Sequence, residues 1–168
     1  MPVRSLAQST PETIQGFEAA SEEKYEDGFN LMATASPGNG IYLMGYAAEM
    51  LLKAAYFRVI GLAAMVPITR QHLRDARAEA AILGVVPDDE QFHNVAFWGE
   101  IVIKKRTQQA RALSPVLADG LEQSTKRLSQ NWYVEMRYRS IQGVSKQDVE
   151  DVLDDVIWIK SNHENFWR

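Results

Sequence analysis

Apolar residues recur every three to four positions along most of this chain, the spacing of helices with one buried face. The strongest such segment is Tyr42-Leu-Met-Gly45-Tyr46-Ala-Ala-Glu49-Met-Leu-Leu-Lys53-Ala, apolar nearly all round with a thin polar stripe. At about 100° per residue, Tyr42, Tyr46, Glu49, Lys53 and Tyr56 fall within a narrow arc. A helix apolar on almost every side belongs in the middle of a bundle. Glutamate and lysine there need partners or a wet groove, because an unpaired buried charge is expensive. The stripe either organises the core or lines a site.

The other elements follow from caps and breakers. The first helix is predicted to start at Thr10-Pro11-Glu12, with Thr10 as N-cap and Pro11 at the first helical position. Its seam is Ile14, Phe17, Ser21, Tyr25, Gly28, Met32 and Ala35, and the small residues at 21 and 28 invite a close neighbour. Ser36-Pro37-Gly38-Asn39-Gly40 then makes a loop short enough to force an antiparallel hairpin. A second helix is expected over residues 41–60 and a third over 70–83, stopped by Gly84. Asp88, with Gln91 completing a capping box, is expected to start a fourth helix whose seam runs from Phe92 and Val95 to Ala110 and Leu113. Ser114-Pro115 restarts a shorter helix to about Leu128. Ser145 with Asp148 caps the last one, with Val149, Val152, Leu153, Val156 and Ile157 inward and Glu150, Asp151, Asp154 and Asp155 outward.

Two stretches resist this pattern. Residues 131–140 alternate apolar and polar with a period of two, but no second strand is available to pair with them. An extended connection or an irregular helical turn is expected there. Residues 61–69 are unusually apolar for a loop, and either fold over the end of the bundle or form a subunit interface. The fold class predicted is all-α: an antiparallel up-and-down helical bundle, in one domain over residues 1–168.

Composition narrows the function. With 168 residues, 46% hydrophobic and 24% charged, the chain is ordinary for a globular protein and ample for a core. A net charge of -4 argues against indiscriminate coating of nucleic acid, while leaving room for a local basic patch. The absence of cysteine excludes disulfides, thiol catalysis and cysteine-ligated zinc. No signal-like start and no apolar run of membrane-spanning length occurs, so a soluble cytoplasmic protein with no membrane partner is expected.

Motifs that carry chemistry are mostly missing. There is no Gly-rich phosphate loop, His-Glu-x-x-His or Gly-x-Ser-x-Gly, and His72, His93 and His163 lie far apart. No metal site, cofactor or catalytic residue is predicted. Lys104, Lys105 and Arg106 read as a solvated face. His93 flanks the fourth seam, as a hydrogen-bonded helix-start residue or as a site residue. Arg137 and Arg139 flank Tyr138 shortly after Trp132. Arginine beside aromatics can clamp a phosphate and stack a base. Equally, Arg137 could pair with Glu49 while Trp132 and Tyr138 fill the end of the bundle.

Three signatures occur in order: Tyr42-x-x-Gly45-Tyr46-x-x-Glu49-x-x-Leu52-Lys53, then His93-Asn94-Val95-x-x-Trp98, then Trp132-x-x-x-x-Arg137-Tyr138. Together they resemble the HEPN domain (higher eukaryotes and prokaryotes nucleotide-binding), over roughly residues 25–159, with His-Asn-Val where the family usually has His-Asp-Leu. The resemblance implies an antiparallel helical bundle, commonly a homodimer. It also implies company: members include proteins associated with separate minimal nucleotidyltransferases, toxin–antitoxin components, and metal-independent ribonucleases. The ribonuclease branch uses an arginine followed four to six residues later by histidine, and no such pair occurs here. The expectation is a binding module whose nucleotide or RNA site comprises Tyr42, Tyr46, Glu49, Lys53, His93, Arg137 and Tyr138. In it Lys53 and Arg137 meet phosphate, the tyrosines stack on the base and Glu49 orients Arg137. The alternatives are a diverged ribonuclease at a dimer interface and a purely structural oligomerisation module.

Overall fold

Helices α1 (Ile14–Ala33) and α2 (Pro37–Val59) form an antiparallel pair at the heart of the computed structural model, which describes residues 12–34, 36–85, 92–132 and 144–168. The closeness of the pair is built on glycine. A Cβ on Gly28 would lie 3.0 Å from the Gly40 carbonyl oxygen, and one on Gly40 would lie 2.7 Å from that of Gly28. Further along, the Ser21 hydroxyl donates to the Ala47 carbonyl at 2.9 Å, and Arg58 meets Glu18 through two bonds of 2.8 Å. Small residues on the α1 seam therefore do what their spacing predicted.

Helix α2 begins four residues earlier than expected, because Pro37 occupies its first turn and Ser36 its N-cap position. The glycines read as a loop, Gly38 and Gly40, are buried inside the helix. Helix α1 starts later than expected. Its N-cap is Thr13, whose hydroxyl accepts from the Gly16 N–H at 2.9 Å; Thr10 and Pro11 lie outside the described residues.

From α2 the chain turns at Gly61 into residues 61–69, which fold against the start of α1: the Gln15 N–H donates to Ala64 and the Ile68 N–H to Glu12. Ile68 is buried there, while Met65 and Val66 stay exposed. Helix α3 (Arg70–Ile82) intervenes before α4 (Val95–Gln108), which runs parallel to α2, as every second helix of an up-and-down bundle does. The direction is visible in the contacts, with Glu49 beside His93, Tyr56 beside Trp98 and the Val59 carbonyl bonded by Gln109. Helices α5 (Pro115–Asn131) and α6 (Lys146–Asn162) continue the up-and-down order, and a 3-10 turn at His163–Phe166 closes the fold. Every regular element among the described residues is helical.

The core joins these helices around Phe57, Trp98, Leu52, Ile101, Leu121, Leu128, Val156 and Ile159, all 0% exposed. Asp155, placed outward by the pattern, is 2% exposed and takes Arg127 as its partner at 2.5 Å. Ile157, placed inward, is 39% exposed. Arg106, read as part of a solvated face, is buried at the end of α4, where its Nε donates to the Arg111 carbonyl. The helix stops there, at Ala110 in a left-handed conformation, so the predicted seam does not continue to Leu113 as helix. The predicted cap of α6 is present, with Ser145 and Asp148 bonding each other's backbone.

Candidate functional site

The polar stripe of α2 lies in register along the helix and converges with residues from two other segments. Glu49 is 1% exposed and Lys53 7%, and the lysine ammonium pairs with the glutamate one turn away. Burial of both is tolerable because each neutralises the other. The ammonium also lies 5.6 Å from the Trp98 ring and 6.0 Å from that of Phe17, a favourable placement for a cation. The lysine expected to reach a phosphate thus points inward, to Glu49.

His93 is the second partner of Glu49. Its Nδ1 lies 3.1 Å from both carboxylate oxygens. The expected fourth-helix start is revised: Asp88 and Gln91 lie outside the described residues, and the cap of α4 is Asn94, whose side chain accepts from the Phe97 N–H at 3.0 Å. His93 therefore sits just before the helix instead of on its flank. Its preceding residue, Phe92, has φ +64, a conformation a bulky side chain rarely adopts. That turn aims the Phe92 carbonyl at the Trp98 indole N–H, which bonds it at 3.0 Å. The backbone on both sides of His93 is thus tied to α4.

Aromatic rings complete the cluster. Tyr46 sits edge-on to Tyr42, His93 and Trp132, with ring centroids 5.1, 5.9 and 5.6 Å away. Trp132, at the C-terminal end of α5, is 2% exposed, and its indole N–H donates to the Tyr42 carbonyl at 2.9 Å. The ring lies against Gly45, where a Cβ would come within 2.2 Å of it. Tyr42, Tyr46 and His93 are half-buried and form the accessible edge. Tyr56, the last member of the stripe, is deep in the core, with its hydroxyl acidity suppressed by burial and by the charges of Glu79 and Asp75.

Five of the seven residues expected at the site, Tyr42, Tyr46, Glu49, Lys53 and His93, are brought together. Arg137 and Tyr138 lie outside the described residues. The Glu49–His93 bond was not foreseen, since 44 residues separate the partners. The sequence signal for it was the order of the α2 and His-Asn motifs.

A second concave feature lies on another face, between α1, α2 and α6, with a volume near 630 Å³ and Glu18, Glu22, Arg58, Lys160, His163 and Trp167 in its wall. Its charges are already matched, Arg58 by Glu18, Lys160 by Glu22 and the lining Glu164 by Arg168. Arg58 also stacks on Trp167 at 4.6 Å. The groove is self-neutralised, whereas the α2 cluster presents an oriented imidazole beside accessible tyrosines. No family model, curated protein or solved structure matches this chain.

Proposed function

We propose that this chain is a HEPN-like binding module that takes a nucleotide or short RNA at the accessible edge formed by Tyr42, Tyr46 and His93. The observation that carries this reading is the bond from His93 to the buried, lysine-paired carboxylate of Glu49. It orients an imidazole, with two tyrosine rings alongside for a base to stack on. Glu49 and Lys53 support the site from beneath, and Arg137 and Tyr138 join it as ligand contacts on the strength of the motif resemblance. That resemblance also carries a homodimer and a separate nucleotidyltransferase or antitoxin as partner, and the expected cytoplasmic location rests on the lack of a signal-like or membrane-spanning run in the sequence.

Native mass spectrometry of the full chain, with and without AMP and a short oligoribonucleotide, tests this directly. A dimer that acquires AMP or RNA supports it; a chain that takes up neither overturns the nucleotide reading and favours a structural module.

A second reading, a diverged metal-independent ribonuclease, is favoured by the same carboxylate–imidazole pair, which is how a proton-transferring histidine is commonly oriented. RNA cleavage lost in His93→Ala would support it, and an inert native chain would exclude it.

A further inference from the structure

Among the described residues, His163 Nε2 and Trp167 Nε1 are buried nitrogens without a hydrogen-bond partner. Both residues line the groove between α1, α2 and α6. A buried polar group left unpaired is costly, and two on one wall call for an explanation.

The two nitrogens need opposite partners. The indole N–H of Trp167 only donates. His163 is 8% exposed, and burial holds its imidazole below the ordinary 6.5, so the ring is neutral near pH 7. One ring nitrogen bonds the Leu51 backbone, whose carbonyl can only accept. Nδ1 therefore carries the ring proton, and Nε2 is left with a lone pair. The wall also disfavours a charged ligand. Its ionised groups are already paired, Glu18 with Arg58, Glu22 with Lys160 and Glu164 with Arg168, so an ion would have to displace a partner in place.

We propose that this groove binds a neutral amide, either a peptide group or a small carboxamide, whose carbonyl accepts from Trp167 Nε1–H and whose N–H donates to His163 Nε2. One flat group then supplies both missing partners. A volume near 630 Å³ leaves room for substituents on either side, within the roughly 300–1,000 Å³ usual for small-molecule sites. Because both nitrogens are buried, binding requires the half-buried indole to turn towards the groove. Arg58 and Arg168 lie over the ring, 4.6 and 5.5 Å from its centroid, and Nε1 has no hydrogen bond to lose when it turns. The site lies on a different face from the Tyr46–His93 edge and does not depend on nucleotide binding there.

The test uses the isotope-labelled full chain and the neutral probe N-methylacetamide. Proton–nitrogen spectra follow the indole N–H of Trp167, assigned by its loss in Trp167→Phe. The expected result is a saturable downfield shift of that signal. The indole signals of Trp98 and Trp132, already bonded to the Phe92 and Tyr42 carbonyls, should stay in place. Methyl acetate keeps the carbonyl but lacks the N–H, and should bind roughly fivefold more weakly, the worth of one hydrogen bond. Acetate should bind no better than the ester, and His163→Phe should erase the difference between amide and ester. A Trp167 signal that does not move with the amide, or equal affinity for amide and ester in the native chain, would overturn the proposal. That comparison needs only the native chain, so a poorly folded variant does not weaken it. With the amide established, tighter binding of a capped dipeptide than of benzamide assigns the groove to a peptide backbone, and the reverse order to a small carboxamide.

Discussion

The indole of Trp132 lies flat in the space that a side chain on Gly45 would occupy, its ring atoms 2.2–2.3 Å from where a Cβ would be. The same indole is pinned by its N–H to the Tyr42 carbonyl, so it cannot swing aside without losing a buried bond. Gly45→Ala should therefore destabilise the fold by about 1–3 kcal/mol through overpacking, despite alanine's better helix propensity. Denaturant unfolding measures this, and the fluorescence of Trp132 should report the displaced ring. An unchanged midpoint would mean that the α5 end is free to retreat.

Glu49 and Lys53 offer a sharper contrast between breaking and replacing a buried pair. Glu49→Ala leaves the lysine ammonium buried beside the Phe17 and Trp98 rings without its carboxylate and should cost roughly 3–5 kcal/mol. The double variant Glu49→Leu, Lys53→Met removes both charges with similar volume and should recover most of that loss. If the pair serves the site as proposed, the double variant folds yet loses AMP and RNA binding. Stability and binding measured on both variants separate a supporting role from a purely structural one.

Arg127 and Asp155 should behave asymmetrically. The carboxylate is buried at 2% side-chain exposure, whereas the guanidinium is 53% exposed. Arg127→Ala strands a buried acceptor and should cost about 2–3 kcal/mol, while Asp155→Ala releases an arginine that water can solvate and should cost less. Equal losses would show that Asp155 acts mainly through packing.

These cases mark what the sequence disclosed. The six α-helices of the described residues, the α1–α2 hairpin and the cap at Ser145 were legible because they depend on local chemistry: periodicity, a proline, a hydroxyl three residues from a carboxylate. The inward turn of Asp155 was not, because Arg127, which compensates it, lies 28 residues away on another helix. The parallel run of α2 and α4, by contrast, follows from the predicted up-and-down order, in which every second helix points the same way. At the candidate site, the stripe on α2 was visible as spacing. That Lys53 turns to Glu49, and that His93 completes the group, required the tertiary arrangement.

His163 gives a pH prediction. It is buried, and burial holds its pKa below the ordinary 6.5; the Arg58 charge adds to this, while Glu18, Glu164 and a bond with the Leu51 backbone oppose it. The unfolded chain therefore takes a proton more readily than the folded one. Its contribution to stability is complete above about pH 6.5 and is lost as pH falls through the lower folded value. Thermal melting followed down the acid limb should show this loss, and His163→Gln should flatten it. An unaltered acid limb in the variant would assign the effect to other groups.

The spacing of the cluster along the chain also implies an order of assembly. Glu49 and Lys53 are one helical turn apart on the same helix, so their attraction exists as soon as α2 winds, even in an isolated hairpin with α1. His93, 44 residues further along the chain, arrives only when α4 docks. When it does, the imidazole meets a carboxylate already paired with Lys53, and the docking of α4 never has to bury a lone anion. The lysine that the motif suggests as a ligand contact is, in the maturing protein, the counter-ion that makes the docking of α4 inexpensive.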